Sequence, residues 1–209
     1  MEIVLEVYIV TVCLIVASIL LYQLLFWVFI KDFKVKNICY ILSPILTGVI
    51  LGLYYYFSRS FNVSLLPYSL ILVVLINLSF IDCKYYEISG NSYWFLLLPS
   101  IAIMAISYKT MYLNLFSFLL LFILFWIIDK LIGVEKIGGA DVKILLILAL
   151  TITFFDTFTL LAVSFLIDTL IYMIKLTIEK IKGNNDKIKI PMIVAITIAR
   201  VIICLFNVV

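Results

Sequence analysis

The chain contains no histidine. That absence removes Ser-His-Asp and Cys-His nucleophilic catalysis, histidine-ligated zinc and imidazole-held haem. Any general acid or base must come from Asp, Glu, Lys, Tyr or Cys. Charge is scarce as well. Only 13% of the 209 residues are charged and 67% are hydrophobic, whereas a soluble domain carries roughly a quarter charged residues. There is too little polar surface to cover a water-facing globule. The four cysteines, Cys13, Cys39, Cys83 and Cys204, are scattered and form no CxxC pair, so neither a zinc site nor a disulfide framework is expected. They read as small apolar residues in helices. The opening run MEIVLEVYIVTVCLIVASIL has Glu2 and Glu6 before its apolar stretch, no basic leader and no small-residue cleavage site. It reads as a retained first helix, not a signal peptide.

What is present is apolar sequence in long runs, near residues 3–30, 38–57, 65–81, 93–108, 111–128, 144–155, 158–174 and 190–209. About 20 apolar residues in a helix cross a bilayer core of roughly 30 Å. The expected fold is therefore all-α, a polytopic membrane protein of about eight transmembrane helices with its N-terminus outside. It forms a single membrane domain (1–209), with two N-terminal spans in 1–64 and a core in 65–209. The sixth stretch is short, about 18 Å as a helix, and the lysines decide how to treat it. With eight spans, cytoplasmic segments hold Lys31, Lys34, Lys36, Lys84, Lys130, Lys136, Lys143, Lys175, Lys180, Lys182, Lys187 and Lys189, against Arg59 and Lys109 outside. Fusing the sixth and seventh spans would put the basic loop 175–189 outside, against the positive-inside rule. A break near Asp156 is predicted. The segments after the third and fifth spans then share the cytoplasmic face, and with them IDCKYYEISGN (81–91) and EKIGGADVKIL (135–145).

Asp82 ends the third span and Asp141 opens the sixth. Carboxylates so placed are costly unless hydrated, paired or functional; the plainer reading is that each marks a helix end among headgroups. Gly138, Gly139 and Ala140 allow close backbone approach and unusual dihedrals before the helix begins. Asp141 in a first helical turn sits where the helix dipole favours negative charge, and Asp82 at a C-terminal end meets the opposite sign. That is the division of roles a proton-sharing aspartic dyad uses. One carboxylate acts as base on a water, while the other polarises the scissile carbonyl. Neither a metal nor a cofactor is required.

These two clusters resemble those of the type IV prepilin peptidase and archaeal preflagellin peptidase family, membrane aspartic peptidases of the GxGD type. IDCKYYEIS is similar to the family segment in which an aspartate is followed six residues later by isoleucine and usually proline. GGADVKIL resembles the GxGD-Lys segment. The 59 residues between the aspartates suit the family, and KIPMIVAITIAR (189–200) looks like its C-terminal helix. The resemblance covers roughly residues 70–205. It implies an endopeptidase that removes the short basic leader of prepilins or preflagellins at the cytoplasmic face of the cell membrane. It assigns catalysis to Asp82 and Asp141, and supporting roles to Gly138 and Lys143. Gly139 belongs to the same turn. Glu87 becomes a candidate contact for the basic leader, while Lys84 reads as a solvated loop residue. Ala140 replaces the family's second glycine and Ser89 its proline. The cysteine-bearing domain of the large bacterial enzymes has no counterpart, so N-methylation is not implied.

Other polar residues have plainer readings. Asp168, in FLIDTLIY, is either a proton relay or a partner for a Thr, Ser or Asn on a neighbouring helix. Asn77 and Ser79 either orient Asp82 or act as interhelical glue, the second being the plainer reading. Arg200 either snorkels or pairs with an acid such as Glu6 or Asp168. The aromatic residues Tyr54, Tyr55, Tyr56, Phe57, Tyr85, Tyr86, Tyr93 and Trp94 read as an interfacial belt. The loop 175–189 is expected to touch anionic lipid, and nucleic-acid binding is not expected. Competing readings are a small transporter or channel lined by Asp82, Asp141 and Asp168, a presenilin-like intramembrane protease, and an inactive scaffold. A transporter favours internal repeats, and none is visible. Presenilin-like proteases place a tyrosine before the first aspartate, where this chain has Ile81. Oligomeric state is left open.

Overall fold

A computed structural model describes residues 38–58, 66–85, 93–132, 139–182 and 190–206, together with isolated helical positions between 8 and 20. The elements are α1 (Ile38–Ser58), α2 (Leu66–Tyr85), α3 (Tyr93–Ile106), a single 3₁₀ turn (Tyr108–Thr110), α4 (Met111–Ile132), α5 (Gly139–Ala149), α6 (Phe154–Lys182) and α7 (Met192–Phe206). Among the described residues there is no strand.

Three segments are long and apolar enough to cross a membrane, Leu66–Cys83, Tyr108–Leu131 and Phe154–Ile181; α1, α3 and α7 contribute shorter apolar segments. The protein is a helical membrane protein. Its helices divide by burial. The α2 segment is 67% buried, whereas those of α4 and α6 are only 22% buried and turn outward side chains such as Phe122, Ile123, Trp126, Leu166 and Met173. In water such apolar faces would be a liability, and against lipid they are the expected exterior. At the centre, α2 packs against α1, α3 and α7, while α7 also packs on α6 and α3 on α5. Leu75, Leu78, Leu96, Ile144 and Ile196 form the core between them.

The predicted break between the sixth and seventh spans is present, at residues 150–153. Thr153 caps α6. Its hydroxyl accepts the Asp156 N–H at 3.3 Å and donates to the Asp156 carboxylate at 2.7 Å, satisfying a backbone donor that has no partner inside the helix. Two boundaries differ from the sequence expectation. The sixth apolar stretch, expected at 144–155, forms a helix that begins at Gly139 and ends at Ala149, because Gly-Ala-Asp-Val-Lys joins the helix. The basic segment expected as a loop from 175 stays helical to Lys182. Glu179 lies four residues after Lys175, a spacing that places the two on one helix face and supports continuation.

Polar side chains stitch the bundle. Ser43 on α1 donates to Asn77 on α2 at 2.6 Å, and the Tyr55 hydroxyl meets that of Ser69 at 2.7 Å. Tyr54 and Tyr55 are buried, so these two do not belong to an interfacial belt; Trp94 is exposed, as a belt residue is.

Candidate active site

One end of the bundle gathers the last turn of α2, the first turns of α3, α5 and α7, and the latter half of α6. Asp82 lies in the last turn of α2 and is buried. Its Oδ2 accepts the backbone N–H of Ile193 at 3.1 Å. Ile193 is the second residue of α7, where the N–H has no intrahelical acceptor and is free for an outside group. The positive end of the α7 dipole thus faces a carboxylate standing at the negative end of α2. The expectation that Asp82 and Asp141 meet helix ends of opposite sign is revised accordingly. Each carboxylate faces a helix N-terminus, Asp141 that of its own helix and Asp82 that of α7.

A hydroxyl clamp one turn away fixes this meeting. The Ser79 and Thr197 hydroxyls are 2.6 Å apart. The Leu75 carbonyl lies 2.8 Å from the Ser79 hydroxyl and the Ile193 carbonyl 2.8 Å from that of Thr197, so one hydroxyl donates across to the other while the other donates to its own helix carbonyl. Ser79 is three residues before Asp82 and Thr197 four after Ile193, so the clamp joins the turns that carry the Asp82–Ile193 bond. Reading Ser79 as glue was right, and the glue has a place: it holds the α7 N-terminus against Asp82.

Asp141 is half-buried in the first turn of α5. Its carboxylate lies within electrostatic range of Asp82 and of Asp168. The two aspartates that the sequence separates by 59 positions are therefore brought together. Tyr93, the first residue of α3, lies near Asp141, and the Lys143 ammonium sits over its ring, 5.2 Å from the centroid, a cation–π contact. Lys143 is thereby tied to the start of α3. Gly139 is the first residue of α5 and helical, and among the described residues a Cβ there would meet nothing within 4 Å. The expected close backbone approach is not found at this glycine. Gly138, Glu87 and Ser89 lie outside the described residues, as does the side chain of Lys84.

Sequence reasoning undervalued Asp168. It stands midway along α6, half-buried, and its Oδ1 has no hydrogen-bond partner among the described residues. The expected Thr, Ser or Asn partner is thus missing for that oxygen. Asp168 faces Asp82 and Asp141 electrostatically, and Lys175 bears on both Asp168 and Asp82. The spacing carried a signal: residues seven apart on a continuous helix share a face, and only the assignment of Lys175 to a loop concealed it. Arg200 does not pair with Asp168. It lies toward the other end of the bundle, where its Nη2 donates to Thr151 at 3.3 Å, and Glu6 is outside the described residues.

A proton-sharing carboxylate pair needs two acids close enough that both do not ionise together. Asp82 and Asp141 act on one another electrostatically, and Asp82 is fixed by a backbone donor. No curated protein and no solved structure matches the chain. The model of the type IV leader peptidase family matches residues 69–174, a stretch that runs from the first turn of α2 into the second half of α6 and includes Asp82, Asp141 and Asp168. The match spans half of the chain, and the protein belongs to the type IV leader peptidase family.

Proposed function

We propose that the protein is an aspartic endopeptidase that removes the leader of type IV prepilin-like or preflagellin precursors, with Asp82 and Asp141 as its catalytic dyad. The observation that carries this reading is the convergence of the two carboxylates at one end of the bundle, one of them held by the Ile193 N–H. Family membership supports a leader peptidase acting on precursor proteins. The absence of histidine narrows the remaining chemistry toward carboxylates.

In this mechanism the pair holds one proton between two carboxylates. The ionised member takes a proton from a water, whose oxygen adds to the scissile carbonyl carbon. The protonated member gives its proton to the carbonyl oxygen. One diol hydroxyl then returns its proton to the ionised carboxylate as the C–N bond breaks, and the departing amine takes the proton held by the other, which leaves the dyad with one proton again. The rate then follows a bell-shaped pH profile whose two limbs belong to the pair and not to either residue. Lys143, held on Tyr93, and Asp168 border this reaction centre as positioning groups. Gly138, Gly139 and Glu87 complete the proposed site, with Glu87 meeting basic residues of the leader. The catalytic core is residues 65–209. By the positive-inside rule the site lies at the cytoplasmic face of the cell membrane.

The test is co-expression in membranes with a tagged prepilin or preflagellin, followed by gel shift. Wild type removes the leader, and Asp82→Asn or Asp141→Asn leaves the precursor intact at equal enzyme abundance. Cleavage by either variant would remove the dyad from the mechanism.

A further inference from the structure

Tyr93 and Trp94 are neighbours in the sequence, and neighbours on a helix point about 100° apart. Trp94 is 62% exposed, as a residue of an interfacial belt is. Tyr93 is half-buried and packs against the same core cluster as Val142 of α5. It opens α3, and α3 packs on α5. The Lys143 ammonium lies over its ring, 5.2 Å from the centroid. Two residues before Lys143, the Asp141 carboxylate acts electrostatically on the phenol. The first turns of α5 therefore face Tyr93 with a cation at the ring and with a member of the dyad. Among the described residues these are the charged groups that bear on it.

Hydrolysis puts negative charge on the oxygen of the scissile carbonyl. Here that charge develops among Asp82, Asp141 and Asp168, where another anion is costly unless a donor meets it. The Ile193 N–H faces Asp82, and the Ser79 and Thr197 hydroxyls serve one another and their own helices. A phenol suits the task, since it donates without carrying charge and ordinarily ionises only at about pH 10. A cation over the ring polarises the O–H toward donation and holds the ring in one place. A donor fixed in advance needs no reorganisation as the charge forms, and that is how such donors lower a barrier.

We propose that Tyr93 is a further catalytic residue, whose phenolic O–H donates a hydrogen bond to the scissile carbonyl oxygen as the tetrahedral diol forms, with Lys143 as the positioning residue for its ring. The phenol keeps its proton throughout, and the proton added to that oxygen still comes from the dyad. This role rests on the reading of Asp82 and Asp141 as the catalytic pair.

The test uses the full protein in detergent with a tagged prepilin or preflagellin. Tyr93→Phe keeps the ring under Lys143 and removes only the hydroxyl. Its kcat is expected to fall about a hundredfold, with KM within about twofold of wild type. A peptide of the cleavage site that carries a difluoroketone, which hydrates to a stable diol, should bind the variant about tenfold or more weakly. Loss of packing alone would not separate diol from substrate in this way. Lys143→Met should lower kcat by less than Tyr93→Phe does. Wild-type kcat in Tyr93→Phe, or a loss confined to KM, overturns the proposal. So does a deeper loss in Lys143→Met, which would make the ammonium itself the donor. If Tyr93→Phe does not fold, 3,5-difluorotyrosine at position 93 decides the matter. It keeps the O–H but ionises well below the ordinary value of about 10, so its rate relative to wild type falls as pH rises through that lower range; a constant ratio overturns the donor role. Cleavage by Asp82→Asn would instead remove the dyad, and the proposal with it, whereas an inactive Asp82→Asn beside a fully active Tyr93→Phe removes the donor alone.

Discussion

The two ends of the bundle bury charge in opposite ways. At one end, helices from three parts of the chain bring Asp82, Asp141 and Asp168 together, answered by the Ile193 N–H and by Lys175. At the other, the cation Arg200 stands among hydroxyls and the Asp156 carboxylate, bonded to Thr151 and, among the described residues, without a partner for its Nε. The first end has excess acid and built-in donors, which suits a group that must pass protons. The second holds a fixed positive charge, which no change of pH in the ordinary range removes. In a chain with so few charges, a buried charge is best understood through what it lacks.

The sharpest way to break this contrast is to remove an acid from the dyad. Asp82→Asn or Asp141→Asn is expected to lower leader cleavage by about a thousandfold with abundance unchanged, as read by gel shift and immunoblot. Next in size is Ile193→Pro. Proline is tolerated in the first turn of a helix but has no N–H, so this change deletes the donor to Asp82. Loss of a hydrogen bond to a charged group should cost about 10- to 100-fold in cleavage rate, and Ile193→Val should cost almost nothing. Asp168→Asn should reduce cleavage by about tenfold or less, since it removes a bordering charge and not a proton-transfer group; a loss as deep as that of the dyad variants would make it a third catalytic member.

Two smaller effects concern stability. Thr197→Val removes one half of the hydroxyl clamp and should lower stability by about 1 kcal/mol, measured by thermal unfolding in detergent. Arg200→Met should leave stability within about 1 kcal/mol of wild type, because an apolar residue of similar size replaces a buried charge whose Nε has no partner among the described residues. A loss of several kcal/mol would mean that Arg200 holds the fold itself.

Much of this was legible in the sequence. Low charge and long apolar runs gave an all-helical membrane protein, lysine placement located the break that Thr153 and Asp156 form, and the aspartate motifs marked groups that the fold brings together. What escaped notice depends on contacts between distant segments. Nothing local to residue 193 says that its N–H meets a carboxylate 111 positions earlier, since any helix start offers the same free donors. Asp168 showed no basic neighbour on its own helix because α6 was expected to stop near 174, and its continuation to Lys182 puts Lys175 on the same face. The tyrosines at 54 and 55 looked interfacial because position along a helix does not reveal which side a neighbour covers.

Helix α5 has eleven residues, about 16 Å of rise against a hydrocarbon thickness near 30 Å. Asp141 at its start therefore cannot stand at one membrane boundary while Ala149 at its end stands at the other. Its end is held by protein instead: Leu148, Ala149 and Leu150 are buried among neighbouring helices, which lets a helix stop short of the far boundary. The turns that α5 lacks leave space inside the bundle, and a cavity lined by Thr151, Ile152 and Thr153 opens there.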